Sequence, residues 1–452
     1  MLRRRYLSLI FLALCSSGLR SDDAAWHAGV AKVNITPQKP MWMSGYASRN
    51  KPAEGKLHDL WAKALAIRDP HGHVGVLVCL DLVGIPRDLS LEVREHVEKK
   101  HGLKRSQIIL NASHTHTGPV VRSNLKTMYF LDEKQQQLVD EYTADLKKKI
   151  VRAADQALMS LRPAKLRWGV GKATFAVNRR NNRESDVPKL REHGKLKGPV
   201  DHDVPVLAVH VKDRLAAIVF GYACHATVLS FYQWSGDYPG FAQLELEKDH
   251  PGAVALFWAG CGGDQNPLPR RKVELARKYG RELAHSVNAV LKEDMAPVEG
   301  ELRTVYREID LPLAALPTRE KLVEEAMSKN RYLAARAKML LAQLNTGKTL
   351  PKSYPYPVQI WKVGNVTWVV LGGEVVVDYS LRLKKELAPR TTWVAGYSND
   401  VMAYIPSQRV LREGGYEGAT SMIYYGLPTV WSTKIEEMIV ATVHDLAKKV
   451  AE

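Results

Sequence analysis

The sequence predicts an α/β fold: a mixed β-sheet core flanked by helices, in one large domain over residues 25–452. Three observations predict it. Apolar, β-branched runs alternate with amphipathic runs of helical period. Pro and Gly are scattered, and no internal repeat, low-complexity tract or clean linker divides the chain. The 452 residues are 45% hydrophobic and 25% charged, which is ordinary globular composition with material for a sizeable core.

The elements follow in order. "HVGVLVCLDLVGI" reads as a buried strand, and "RDLSLEVREHVEKKHG" as a helix closed by Gly102. "QIILNASHTH" is the next strand. A long helix follows, with Leu138, Tyr142, Leu146 and Ile150 on one face. "PVLAVHVKDRLAAIVFGYACH" predicts a hairpin turning at Lys212–Arg214. "AVALFWAGCGG" is a strand that runs into a glycine turn, and "RKVELARKYGRELAHSVNAVLKE" is helical. Beyond Gly300, "TVYREIDLPL" reads as a strand. A charged helical insertion spans about 317–347, and "VQIWKVGNVTWVVLGG" is a hairpin with Gly364 and Asn365 at its turn. "STKIEEMIVATVHDLAKKV" is the last helix.

The first 21 residues have the layout of a secretory signal peptide: three arginines, an apolar stretch and then small residues. Export to the periplasm or medium is the expectation. Acylation of Cys15 as a lipoprotein is the weaker alternative, because Leu14 stands where a small residue is preferred. The net charge is +17, spread along helices and without the interleaved aromatic–basic pattern of nucleic-acid modules, so nucleic acid is not an expected partner. A solvated basic surface is the first reading and peripheral contact with anionic lipid headgroups the second. The four cysteines do not form a disulfide scaffold. Cys224 and Cys261 either pair or are simply buried thiols.

Five short stretches carry chemistry. In "NASHTHTGP", His114 and His116 stand two apart. On a strand they would face one side, at an end where α/β proteins gather functional groups. They are either metal ligands or a hydrogen-bonded cap. His225 in "CHAT" is a ligand or a satisfied core histidine. In "GCGGDQNP", Gly263 and Asp264 either let the backbone approach a ligand or form a tight turn. Glu374 follows two glycines at the end of a very apolar strand; such a carboxylate needs a cation, either a metal or an arginine. Tyr404 and Tyr416, twelve residues apart, are site residues or packing.

Taken together, these stretches resemble the neutral (non-lysosomal) ceramidases. "AGVAKVNITP", "GKLHDLWAKALAI", "CLDLVGI", "NASHTHTGP", "FAVNRRNN", "CHAT", "GGDQNP", "GGE" and "AYIPS…GGYEGAT" occur in that family's order from about 28 to 418. The resemblance implies a catalytic domain over 25–452 and a zinc ion held by His114, His225, Glu374 and Tyr404. It implies that His116, Arg179 and Tyr416 bind and polarise the scissile amide.

Zinc accepts such nitrogen and oxygen ligands and activates water for attack on a carbonyl. Tyr416, Arg179 or His116 would stabilise the oxyanion, and His116 would protonate the leaving amine. Asp81 is expected either to orient His114 or His225, or to be structural.

Two departures stand out. Characterised members carry a further immunoglobulin-like domain that this sequence does not show. Gln265 follows Asp264 where some members have a serine, which favours metal-activated water over a serine nucleophile. The expected function is an exported zinc amidase cleaving the N-acyl bond of a ceramide-like lipid. The alternatives are a zinc amidase for lipoamino acids or acylated amino sugars, and a secreted binding protein without activity. A β/α-barrel amidohydrolase also uses an HxH strand, but several strands precede His114 here.

Overall fold

The computed structural model describes residues 26–452. The expected leader, Cys15 included, lies outside these residues. Two sheets stack face to face with helices on both outer sides, a helix–sheet–sheet–helix sandwich. The first sheet is the mixed sheet that the sequence predicts, and the separate second sheet is not foreseen. The strands after Gly300 build a second sheet of their own, because their apolar faces pack against the first sheet without joining its edge.

The first sheet has nine strands. From one edge to the other they run Val254–Ala259, Arg214–Tyr222, Asp203–Val211, Arg162–Lys172, Trp26–Asn34, Trp61–Arg68, Val74–Leu80 and Ile108–Ala112, with Ala296–Pro297 paired to Arg162–Lys172. The outermost pair at each edge is parallel and the interior pairs are antiparallel. The sheet curls until its edges meet, and the Ala259 N–H donates to the Asn111 side chain at 3.1 Å. That closure matters for function. It brings the loop after Ile108–Ala112 beside the loop after Arg214–Tyr222, although these strands are far apart in the sheet.

The second sheet runs Leu302–Pro312, Ser353–Val363, Val366–Leu371, Thr391–Ala395. Between the sheets lies a layer rich in tryptophan: Trp258, Trp361, Trp368 and Trp393 are all buried and in ring contact. Such large rings each bury much apolar area and dominate a core's stability. The helices Arg87–His101 and Glu133–Met159 cover one part of the first sheet's outer face. Asp237–Asp249 and Val273–Lys292 cover the other. Ile435–Lys449 backs the second sheet. In Glu133–Met159 the buried stripe includes Val139, Tyr142, Leu146 and Ile150, while the expected Leu138 is half-buried.

Local signals explain several boundaries. Gly102 ends its helix in the left-handed region, at φ 68°. Lys212 and Asp213 both have positive φ, as a two-residue hairpin turn requires. The segment 317–347 holds two helices, Arg319–Ala326 and Arg331–Asn345, capped by the side chains of Thr318 and Asn330. Cys79, Cys224 and Cys261 are all free and buried, so Cys224 and Cys261 do not pair. Burial pushes both of those thiols up in pKa.

Candidate metal centre and its surroundings

His114 and His116 do not sit on a strand. The strand ends at Ala112, and His114 is in the left-handed region at φ 61°. The two imidazoles converge because the chain turns, not because of the strand's two-residue period. Ser235 O fixes the turn by accepting from the hydroxyls of Thr115 and Thr117, each at 2.7 Å. His116 N–H donates to Ala226 O, which ties this loop to the one carrying His225. Gly45 makes room on the other side: a Cβ there would lie 2.6 Å from the His116 ring.

Each metal-type histidine is oriented by the backbone. His114 Nδ1 lies 2.5 Å from Val83 O, and His225 Nδ1 lies 2.6 Å from Gly262 O. A carbonyl only accepts, so both Nδ1 atoms carry a proton, which leaves the Nε2 atoms as the ones a metal would take. Asp81 does neither job. It accepts from Trp61 N–H at 2.9 Å and faces Lys63, so its role is to fasten strand ends.

Glu374 and Tyr404 come from a two-strand ribbon, Glu374–Val375 paired in parallel with Tyr404–Ile405. They are directly opposite in register, which is how residues thirty apart in sequence present their side chains together. Glu374 Oε2 is 3.0 Å from His114 Nε2 and 3.1 Å from His225 Nε2. Tyr404 Oη is 3.1 Å from His225 Nε2. His116 Nε2 is 3.1 Å from His114 Nε2, and the three histidines' ligand nitrogens all lie within 4.8 Å of one another.

Burial opposes ionisation of Glu374, but the flanking His114 and His225 hold its carboxyl well below the usual carboxylate range. Burial, with Arg179 nearby, pushes His225 down to about 4. Burial and the two neighbouring imidazoles hold His116 well below the ordinary imidazole value. The site therefore favours an ionised Glu374 and the neutral forms of His116 and His225, protonation states compatible with a metal.

The donor set fits a zinc ion. Two imidazole Nε2 atoms and a carboxylate oxygen face one another, with both Nδ1 protons already engaged elsewhere. Zinc ligands at about 2.0–2.1 Å stand roughly 3.3 Å apart in a tetrahedron. The observed separations of 3.0–3.1 Å are close to that spacing.

Arg179 follows the short strand Ala176–Asn178, which pairs with Gln265–Pro267 after the Gly263–Asp264 turn. Its N–H groups donate to Glu417, Asn266, Gly263 O and Tyr404 Oη. Four of its five donors are thus engaged and one Nη1 hydrogen remains. Asp264 is buried, accepts from Asn178 and Val377 N–H, and is pushed up to about 6, chiefly by burial. It fixes the turn. Gly263 N–H donates to Val375 O, docking that turn on the ribbon that carries Glu374. Tyr416 packs its ring on Tyr404 at 5.4 Å. It remains 41% exposed, and its hydroxyl has no hydrogen-bond partner among the described residues.

Three side chains of this centre were not foreseen. Tyr425 Oη donates to Glu374 Oε1. Tyr397 packs its ring 4.5 Å from that of His114, tilted by 32°. Glu417 bridges Arg179 and Arg180 at 2.7 and 2.5 Å. The "RR" of "NRRNN" beside a carboxylate in "GYEGAT" was a usable signal for Glu417. Nothing local marks Tyr397 or Tyr425.

Fold and site together define a layered α/β protein with a buried His/Glu/Tyr cluster suited to a metal ion. A family model described as neutral/alkaline non-lysosomal ceramidase, N-terminal, matches residues 26–267. The chain belongs to that family of hydrolases. Its fold is also similar to the crystal structure of the neutral ceramidase from Pseudomonas aeruginosa. The TM-score is 0.71 at 21% identity, covering 93% of this chain and 73% of that one. A ceramidase complexed with C2 gives a TM-score of 0.72 at 20% identity, over 92% of this chain and 74% of the other.

Proposed function

We propose that this protein is an exported zinc-dependent amidase that hydrolyses the N-acyl bond of ceramide or a ceramide-like lipid. One observation carries the reading. His114 Nε2, His225 Nε2 and Glu374 Oε2 crowd within 3.0–3.1 Å contacts in a buried site that calls for a cation. Membership of the ceramidase family supports the amide substrate. The leader-like first residues support export, and the basic surface supports peripheral contact with a membrane.

His114, His225, Glu374 and Tyr404 would hold the ion. A bound zinc supplies a Lewis acid and brings a water's pKa toward neutrality. The protein's own groups do the rest. Arg179 fixes Tyr404 and offers its remaining N–H to the substrate. The Tyr416 hydroxyl is free to donate to the oxygen of the scissile carbonyl as negative charge develops there. His116, neutral and with Nε2 facing the centre, takes a proton and returns it to the leaving nitrogen.

The test combines metal analysis with turnover. The purified protein is expected to contain about one zinc per chain and to release fatty acid from N-acylsphingosine. His114→Ala should lose both. Absence of zinc, or full retention of zinc by the variant, defeats the reading. Hydrolysis of another acyl amide but not ceramide would remove the lipid assignment and leave the chemistry.

A further inference from the structure

Two surfaces of opposite character lead outward from Tyr416. One is a series of ring contacts: Tyr416 to Tyr424 at 6.3 Å, Tyr424 to Tyr332 at 5.2 Å, and Tyr332 to Phe130 at 5.7 Å. It meets the inserted helix Arg331–Asn345 at Tyr332 and ends at Phe130, which is 42% exposed and has the Arg331 guanidinium 3.6 Å from its ring centre. The other is an open cavity of about 540 Å³ that begins at Arg179 and Tyr416. Four arginines line it, Arg179, Arg180, Arg183 and Arg270, against two glutamates, Glu184 and Glu417. Leu268 is its one aliphatic side chain among the described residues.

The arginines are not equally engaged. Glu417 bridges Arg179 and Arg180. Arg270 pairs with Glu184 at 3.0 Å. Arg183 is exposed on the cavity wall and has no ion-pair partner among the described residues. The cavity therefore carries surplus positive charge with a free guanidinium, and little apolar wall for an acyl chain.

We propose that this cavity receives an anionic group on the amine side of the scissile amide, while the acyl chain follows the aromatic side. The preferred substrates are N-acyl amides whose amine part ends in a carboxylate or a phosphate. Planar, forked guanidinium groups suit both anions. This rests on the amidase reading above and narrows its substrate class. A neutral headgroup would leave Arg183 without a counter-ion in the bound state.

The experiment uses the full chain loaded with zinc and two matched pairs of substrates, each diluted in neutral detergent micelles. One pair is an N-acylglycine and the N-acylethanolamine of the same chain; the other is ceramide 1-phosphate and ceramide. In at least one pair the anionic member should show a kcat/KM ten-fold or more above its neutral partner. Its KM should rise with salt. An advantage confined to the first pair identifies the carboxylate, and one confined to the second identifies the phosphate.

Arg183→Glu should cut the anionic-to-neutral ratio at least ten-fold, and Arg183→Gln should do so less. Arg183 is exposed, so both variants should fold. A ratio near one in both pairs overturns the proposal and leaves the amidase reading standing. So does a ratio that Arg183→Glu does not change. Turnover of none of the four substrates removes the amidase reading, and this proposal with it.

Discussion

The two halves of the centre are held in different ways. The histidine half leaves the curled nine-stranded sheet, and backbone carbonyls orient it: Val83 O for His114 and Gly262 O for His225. The carboxylate–tyrosine half sits on a two-strand ribbon, and side chains orient it. Tyr425 holds Glu374, and Arg179, itself pinned by Glu417, holds Tyr404. A carbonyl orients any histidine placed before it and survives most substitutions around it. A side-chain network fails when one member is lost, because each buried polar group left behind is then unsatisfied. The second half should therefore be the more sensitive to single changes away from the ligands themselves.

The largest effect is expected at the joint between the halves. Gly263 packs so closely on the Glu374 ribbon that a Cβ would lie 2.6 Å from Glu374 O and 2.9 Å from Val375 C and O. These are backbone atoms, so no rotamer change relieves the clash. Gly263→Ala should push the ribbon away from the histidines, lower stability by about 1–3 kcal/mol and reduce kcat/KM on the order of 10²-fold. Gly55→Ala is the control: its nearest contact is 4.0 Å away, and its effect should stay within about 0.5 kcal/mol. Denaturant melts and amide hydrolysis read both. Turnover in Gly263→Ala within a few-fold of the parent would show that the halves are not rigidly joined there.

Tyr425→Phe tests the network itself. It removes one hydroxyl from Glu374 Oε1 and leaves the ring in place. Loss of such a supporting hydrogen bond commonly costs about 10–100-fold in metal affinity or activity. Zinc affinity from chelator competition, followed by kcat/KM, should fall by that amount. If neither moves, Glu374 is held by its strand alone and the two halves do not differ.

The same division explains what the sequence revealed. The residues that converge near strand ends in small-residue motifs were legible: His114, His225 and Glu374 each follow an apolar run that names its own strand. The reason for the convergence of His114 and His116 was misread, because a left-handed residue after Ala112 leaves no mark in hydrophobic pattern. For Asp81 the sequence leaves two roles, orienting a histidine or fastening the fold; the Trp61 N–H donates to it, which fits the second. The second sheet was hidden for a similar reason. Its strands are apolar on the faces that meet the tryptophan layer, and periodicity does not say which sheet a strand joins. Tyr397 and Tyr425 reach the centre only through tertiary packing, so no local signal could have placed them.

The smallest effect on turnover, and the finest test of the comparison, lies in the segment that ties the halves together. Asn399 Oδ1 accepts from Leu110 N–H of the first sheet, and Asp400 O accepts from Gly373 N–H just before Glu374. The Asp400 carboxyl is fully buried and is pushed up to about 7, chiefly by burial, with Tyr354 Oη donating to it at 2.6 Å. Arg87 lowers that value and Asp88 and Glu308 raise it. Its folded value lies above the ordinary carboxylate value, so the folded chain keeps a proton that the unfolded chain releases. The stabilisation is complete below about pH 4 and is lost as pH rises through about 7. Asp400→Asn keeps the shape and cannot ionise. The difference in unfolding free energy between parent and variant should therefore drift by on the order of 4 kcal/mol in the variant's favour between pH 4 and 7, then level off. Turnover should change less than about three-fold, since Asp400 touches none of the four expected ligands. Parallel curves for the two proteins would mean that Asp400 is ionised in the folded state and that the segment joining the halves holds no buried proton.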